Sequence, residues 1–219
     1  MALEQRRRRE TVSTRRLEAY TDGVFAIAAT LLVLDLSIGG FGAINSDKRL
    51  WDALTGIGDN LLSFVISFLL LCLLWTVHTR QFEHVRHVDS VVLILNSLRL
   101  LAVVLIPFTT SINSAYNSLP LGRLLMPANF FVVVLLGSVQ WFYLTTPGRG
   151  LLEGISDEQI RAGRWGSLTA VMVAAVVAVL APLIGSWAFA FFALNSFIEA
   201  LLARVDARNR RAKPTKAAD

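Results

Sequence analysis

The stretch RRLEAYTDGVFAIAATLLVLDL, residues 15–36, begins like a helix in water and continues like one in a membrane. Its arginines precede an apolar run whose length suits the roughly 30 Å of hydrocarbon in a bilayer. The run nevertheless keeps Asp22, Thr30 and Asp35 within it or beside it. A carboxylate in lipid must find partners inside the protein, so we expect this helix to have one protein-facing side.

The composition of the whole chain supports a membrane protein. Hydrophobic residues make up 54% of the 219 residues and charged residues 17%, and the mean hydropathy is +0.56. These proportions exclude an ordinary soluble domain. The basic residues behind the formal charge of +5 cluster at the ends of apolar segments, which favours a role in topology over a nucleic-acid partner. The single cysteine, Cys72, excludes an intrachain disulfide and is expected to be buried.

Apolar runs of spanning length predict an all-α integral membrane protein with six transmembrane helices per subunit. The chain, residues 1–219, is read as one domain. Pro182 and Gly185 separate the last two runs and predict a tight helical hairpin there. The runs cover residues 19–38, 61–77, 91–111, 124–144, 167–184 and 187–202.

Arginine and lysine predict the orientation. They concentrate before the first run, between the second and third, between the fourth and fifth, and after the last. Positive loops stay on the cytoplasmic side. We therefore expect a multi-pass protein of the cell membrane with both termini in the cytoplasm. The basic tails, residues 1–14 and 205–219, are expected to contact membrane lipid headgroups.

One face of the first helix carries an aliphatic stripe. With a turn of about 100° per residue, Ile27, Leu31 and Leu34 share a face, Thr30 lies on its flank and Asp22 points away. From the pattern alone, such a stripe is a surface for lipid or for helix packing.

The same helix resembles the first helix of the transmembrane protein 175 family, the lysosomal and bacterial potassium channels. The family hallmark is R-x-x-x-F-S-D, and this chain keeps an aromatic ring and a hydroxyl at the two changed positions. WTVHTRQFEHV, residues 75–85, is similar to the family pattern W-x-x-H-x-x-x-F. The matching motifs lie in the first half of the chain, and they involve Arg16, Tyr20, Thr21, Asp22, Trp75, His78, Asn96, Pro107 and Phe108.

The resemblance implies a homotetramer in which the first helix of each subunit lines a central pore for potassium ions. It places the pore constriction at Ile27, Leu31 and Leu34, and a layer that contributes to potassium preference at Thr30. The chain has no TVGYG-like filter sequence, which agrees with this expectation. No cofactor is implied.

The resemblance also implies a polar network that braces the first helix and takes part in gating. Arg16 and Asp22 are six residues apart, hence on different faces of one helix, so Asp22 needs other partners. Trp75, His78 and His84 are the candidates, and Tyr20 and Thr21 belong to the same motif. The alternative is a plain buried cluster without a gating role. In either case Asp22→Ala is expected to harm folding or assembly.

Two further charged residues call for partners or solvent. Asp35 would form an acidic ring at the outer mouth of a tetramer, where it would concentrate cations, or it would be a solvated interfacial residue. Arg99 lies within the third run and must be paired or reach the interface. Asp22 and Glu199 are the alternatives at a suitable depth.

Enzyme and metal chemistry find no support. His78, His84 and His87 lack the acidic or cysteine ligands that would complete a metal site. No serine lies in a G-x-S-x-G turn, and TPGRG, residues 146–150, lacks the lysine and the strand of a phosphate-binding loop. Three candidate functions remain: a potassium-permeable channel, a proton- or cation-coupled secondary transporter, and a noncatalytic membrane scaffold.

Overall fold

The computed structural model describes residues 13–36 and 42–189. In this part of the chain, the helices of ten or more residues are α-helices, and strand pairing is limited to one isolated bridge between Val85 and Leu152. The helices are α1 (Thr14–Leu31), α2 (Asp47–Gly56), α3 (Gly58–Phe82), α4 (Ser90–Val104), α5 (Ile106–Ala115), α6 (Pro120–Leu144) and α7 (Asp157–Ile184), with 3-10 segments at Leu32–Asp35 and Gly185–Phe189.

Five segments of the described chain are long and apolar enough to cross a membrane. The predicted class, an all-helical membrane protein, is confirmed. The sixth predicted run, residues 187–202, lies mostly outside the described residues, so the sixth crossing stays a prediction. The five segments are Thr14–Leu34, Asn60–Phe82, Ser90–Ala115, Pro120–Leu144 and Asp157–Ile184.

The third spanning segment is divided into α4 and α5 because Pro107 has no N–H to give to the preceding turn. Leu105, between the two helices, keeps helical angles (φ −78°, ψ −10°), so α5 follows α4 without an unwound turn. Asn129 of α6 contacts both sides of this junction by donating to the Ala102 carbonyl at 3.1 Å and to the Thr109 hydroxyl at 3.3 Å.

Local signals set the ends of α7. Ser156 and Gln159 form a reciprocal capping box at its start. Pro182 lies in the last turn, and Gly185 ends the helix with φ of 63°, a conformation that suits glycine. The rest of the predicted hairpin lies outside the described residues.

The bundle has a large core and a smaller one. The larger packs Phe25, Ala28 and Leu32 of α1 and its 3-10 extension against α3, α4, α6 and α7. The smaller lies where the α3–α4 loop meets the α6–α7 loop and includes Leu17 and Phe82. These loops are joined by backbone hydrogen bonds from Arg86 to Leu151 and from Glu153 to His84, each 2.9 Å. We call the end of the bundle where these two loops meet the closed end, and the basic residues in the loops predict that it is cytoplasmic.

Cys72 is exposed on the outer surface of α3. The expectation that it would be buried was wrong, because an apolar segment specifies depth in the membrane and not which side of the helix faces the bundle.

Candidate pore-lining helix and its polar anchors

The first helix has a packed face and an open face. The packed face recurs every three or four residues, as a helix of 3.6 residues per turn requires. On the open face, Ile27 is 61% exposed, Leu31 41% and Leu34 69%. The residues of the aliphatic stripe therefore point away from the subunit core. The buried residues opposite are Leu17, Thr21, Phe25, Ala28 and Leu32.

The change from α-helix to 3-10 helix keeps the open face in line at its far end. Leu34 lies in the 3-10 segment that follows Leu31. Side chains three residues apart eclipse each other in a 3-10 helix. Leu31 and Leu34 thus stack along the helix axis on one side.

Thr30 lies on the same exposed face. Its hydroxyl donates to the Ile27 carbonyl at 2.9 Å. A hydroxyl has one donor and two lone pairs, so the oxygen keeps its acceptor capacity for a group outside the helix. Thr30 therefore presents an oxygen acceptor beside an otherwise apolar stripe.

Asp22 ties α1 to α3. The indole N–H of Trp75 donates to Asp22 Oδ1 at 2.8 Å. Of the three candidate partners, the structure brings Trp75 to the carboxylate, while His78 turns to other neighbours. Both members of the pair are exposed in the single chain, so the bond lies at the edge of the packed face.

Thr21 ties α1 to α4. The Asn96 side-chain amide donates to the Thr21 hydroxyl at 3.0 Å, and both residues are fully buried. The motif contained both residues, but their pairing was not predicted from the sequence. A contact between two polar side chains inside an apolar bundle fixes the rotation of α1 against α4.

Thr21→Val should lower the stability of the subunit by about 1–3 kcal/mol, because it leaves the buried Asn96 amide without an acceptor. Thr30→Val is the matched control, since it makes the same substitution on the same helix at an exposed position. Thermal unfolding of the purified variants in detergent measures both. Equal melting temperatures for the two variants would contradict this role of Thr21.

His78 forms a third anchor, which is also buried. It is 1% exposed, and its Nδ1 lies 3.2 Å from Nη1 of Arg99. A guanidinium only donates, so Nδ1 must accept and the ring proton lies on Nε2. The ring packs against Phe82, with centroids 4.2 Å apart, and against Phe25 of α1 at 6.1 Å. His78 thus contacts both α1 and α4.

Arg99 does not pair with Asp22, contrary to one of the two alternatives from sequence. Its guanidinium lies near His78, the Gln81 side-chain oxygen at 3.4 Å and the Leu74 carbonyl at 3.5 Å. The other alternative, Glu199, lies outside the described residues.

The remaining candidates do not join these anchors. Arg16 is exposed and Tyr20 is 63% exposed, and within the described chain neither shares the bonds that hold Thr21 and Asp22. Asp35 ends the 3-10 segment, and its side chain lies outside what the structure describes. The roles assigned to these three residues stay predictions.

A multi-pass helical bundle with one open, apolar first-helix face is the class of protein that these observations define. A sequence model of the family described as "Endosomal/lysosomal potassium channel TMEM175" matches residues 16–107. A potassium channel from Streptomyces collinus is 30% identical over 176 residues, which cover 77% of this chain and 84% of that protein. The chain belongs to the TMEM175 family of ion channels and is not an enzyme.

Other relatives and two solved structures are also similar to this chain. A potassium channel from Chamaesiphon minutus is 29% identical over 156 residues, 70% of this chain and 76% of the relative. The human endosomal/lysosomal proton channel TMEM175 is 34% identical over 120 residues, which are 52% of this chain and 24% of that protein. The crystal structure of a lysosomal potassium-selective channel TMEM175 homolog from Chamaesiphon minutus superposes with a TM-score of 0.69 at 25% identity, covering 84% of this chain and 97% of that one. The potassium channel MtTMEM175 shares the fold, with a TM-score of 0.57 at 21% identity over 90% of this chain and 94% of that one.

Proposed function

We propose that four copies of this chain form a potassium-selective channel in the cell membrane, with both termini in the cytoplasm and the open face of α1 lining the central pore. The observation that carries the proposal is the exposure of Ile27, Leu31 and Leu34 on one side of a helix whose other side is anchored to the bundle. The potassium channels among the relatives support the permeant ion.

The mechanism follows from the apolar character of this face. Four isoleucine or leucine side chains around an axis make a narrow throat that water leaves, and an ion cannot cross such a throat without its hydration shell. A small rotation of α1 that widens the throat readmits water and ions. Ile27, Leu31 and Leu34 are thus the proposed constriction, and the anchors at Thr21, Asp22 and His78 limit that rotation.

Selectivity needs an oxygen, because alkyl groups cannot replace the water that an ion loses. Thr30 supplies it in this proposal, since the residue lies on the exposed face of α1 and its hydroxyl oxygen keeps lone pairs for a group outside the helix. Four such hydroxyls would form a layer between the Ile27 and Leu31 rings. A ring of Asp35 carboxylates at the outer mouth would concentrate cations before entry.

Thr30→Val should bring the ratio of potassium to sodium flux towards one while potassium still passes, because the apolar rings remain. Thr30→Ser retains the hydroxyl and should retain most of the preference. Liposomes loaded with either cation and carrying the purified variants measure the ratio. An unchanged ratio in Thr30→Val would contradict the selectivity role of Thr30. It would not contradict the proposed constriction at Ile27, Leu31 and Leu34.

The experiment that tests the whole proposal is cation flux from liposomes reconstituted with the intact protein, together with its mass in a native mass spectrum. We expect passive flux that favours potassium, and a mass of four 24.1 kDa chains plus bound lipid. A monomer, or flux strictly coupled to a second ion, would contradict it. Strict coupling would support the secondary-transporter alternative.

Proton conduction is the second candidate, because the human relative is named a proton channel. The same liposomes with a pH-sensitive dye and no potassium gradient separate the two ions. Proton flux without potassium flux would favour this candidate.

A further inference from the structure

A cavity of about 430 Å³ lies between α3, α6 and α7, away from the open face of α1. Its volume is in the range of small-molecule sites. The part deeper in the bundle is apolar, with Leu70 of α3 and Phe130 of α6 in its wall. Towards the closed end of the bundle, the wall contains Arg80 and His84. The cavity is therefore amphipathic along its length.

Two buried donors in the wall lack acceptors. Arg99 is 1% exposed and Trp141 is 5% exposed, and both line the cavity. Within the described chain, Arg99 Nε and Trp141 Nε1 have no hydrogen-bond partner. The other guanidinium nitrogens of Arg99 reach the neutral acceptors described above, none of which is a carboxylate.

Glycines make the room that these donors occupy. A Cβ atom on Gly137 would lie 2.9 Å from Arg99 Cζ, and one on Gly163 would lie 2.8 Å from Trp141 Nε1. Both glycines line the cavity. A side chain at either glycine would therefore collide with the guanidinium or the indole, which indicates that the wall of the cavity is built to hold these two groups.

The charge specifies the occupant. Water could satisfy the open N–H groups, but it would leave the positive charge of a buried arginine uncompensated at membrane depth. Arg80 and His84 add donors at the mouth, and basic pockets between transmembrane helices are typical sites for acidic lipid headgroups. An anion that carries a long apolar chain matches both ends of the cavity.

We propose that this cavity binds an anionic phospholipid, with its phosphate at Arg99, Trp141 and Arg80 and one acyl chain between α3, α6 and α7. The bound lipid would hold Arg99 in place, and through Arg99 the His78 ring that packs on α1. This inference concerns binding and does not depend on which ion the channel conducts.

The test compares lipid binding by the intact protein purified in detergent and titrated with phosphatidylglycerol or phosphatidylcholine. Native mass spectrometry counts the retained lipids, and thermal unfolding records the stabilisation. We expect phosphatidylglycerol to be retained and to raise the melting temperature, whereas phosphatidylcholine does neither. Each charge-assisted hydrogen bond lost should weaken binding by about tenfold or more.

Three variants separate the site from the surface. Gly166→Leu adds a side chain to the cavity lining at a position where a Cβ meets nothing within 4 Å, so it should block binding without disturbing the fold. Arg80→Gln removes a charge from the mouth and should weaken binding. Arg161→Gln is the control, because Arg161 is exposed on α7 and does not line the cavity.

Some outcomes would overturn the proposal. Equal phosphatidylglycerol binding by Gly166→Leu and by the unaltered protein would remove the cavity as the site. Stabilisation by inorganic phosphate alone, equal to that by the lipid, would remove the acyl chain from the assignment. Absence of any lipid effect would also overturn it. Glu199 would then be the counter-ion of Arg99 if Glu199→Gln and Arg99→Gln lose equal stability and the double variant loses no more than either.

Discussion

Ile27→Asn should make the reconstituted channel leaky and raise its resting potassium flux by about tenfold or more. An asparagine amide holds water by hydrogen bonds where the isoleucine side chain cannot, and the substitution enters the proposed ring four times. A tenfold change needs the barrier to fall by only about 1.4 kcal/mol. Potassium efflux from liposomes at equal protein density measures it.

Ile94→Asn is the matched control for this experiment. Ile94 lies on α4 and is 59% exposed, close to the 61% of Ile27, so the same substitution has a similar cost to the isolated subunit. We expect its flux to match that of the unaltered protein. Flux that rises equally in both variants would indicate general damage to the bundle, and flux unchanged in Ile27→Asn would remove Ile27 from the constriction.

Helical periodicity was enough to predict from the sequence that Ile27, Leu31 and Leu34 share one face of α1. The pattern left open whether that face meets lipid or packs against another helix, and the structure leaves all three residues exposed on the subunit. Thr21 and Asp22 needed the family motif, since a hydroxyl and a carboxylate in an apolar run have no periodic signal of their own.

The partners inside the bundle could not be predicted in the same way. Asp22 was a possible partner for Arg99 because the two residues were predicted to lie at a similar depth in the membrane. In the structure, the rotation of α4 directs the guanidinium to His78 on α3. The prediction that Cys72 is buried was wrong for the same reason, because the sequence placed Cys72 correctly in an apolar helix but did not show which side of α3 it lies on. Rotation is set by side-chain packing between helices, as in the Asn96 to Thr21 contact, and a single hydropathy profile does not contain it.

His78→Ala should be the most destabilising of the substitutions considered, because His78 joins three helices. The change removes a ring that packs on Phe25 and Phe82, opens a cavity in the core, and takes from Arg99 the shortest of its three hydrogen bonds. Large-to-small changes at such sites cost about 3 kcal/mol or more. For a chain of this size, we expect a fall of roughly 6–12 °C in melting temperature.

His87→Ala is the control, since His87 is exposed on the α3–α4 loop and the same change there should be close to neutral. A further comparison separates stability from gating. His78 contacts α1 through Phe25, which lies on the face opposite Ile27, so loosening this contact would free the rotation of α1 that the proposed gate uses. If the gate works in this way, folded His78→Ala channels will show higher resting potassium flux than His87→Ala channels at equal protein density. A His78→Ala channel that is less stable but equally closed would confine His78 to a structural role.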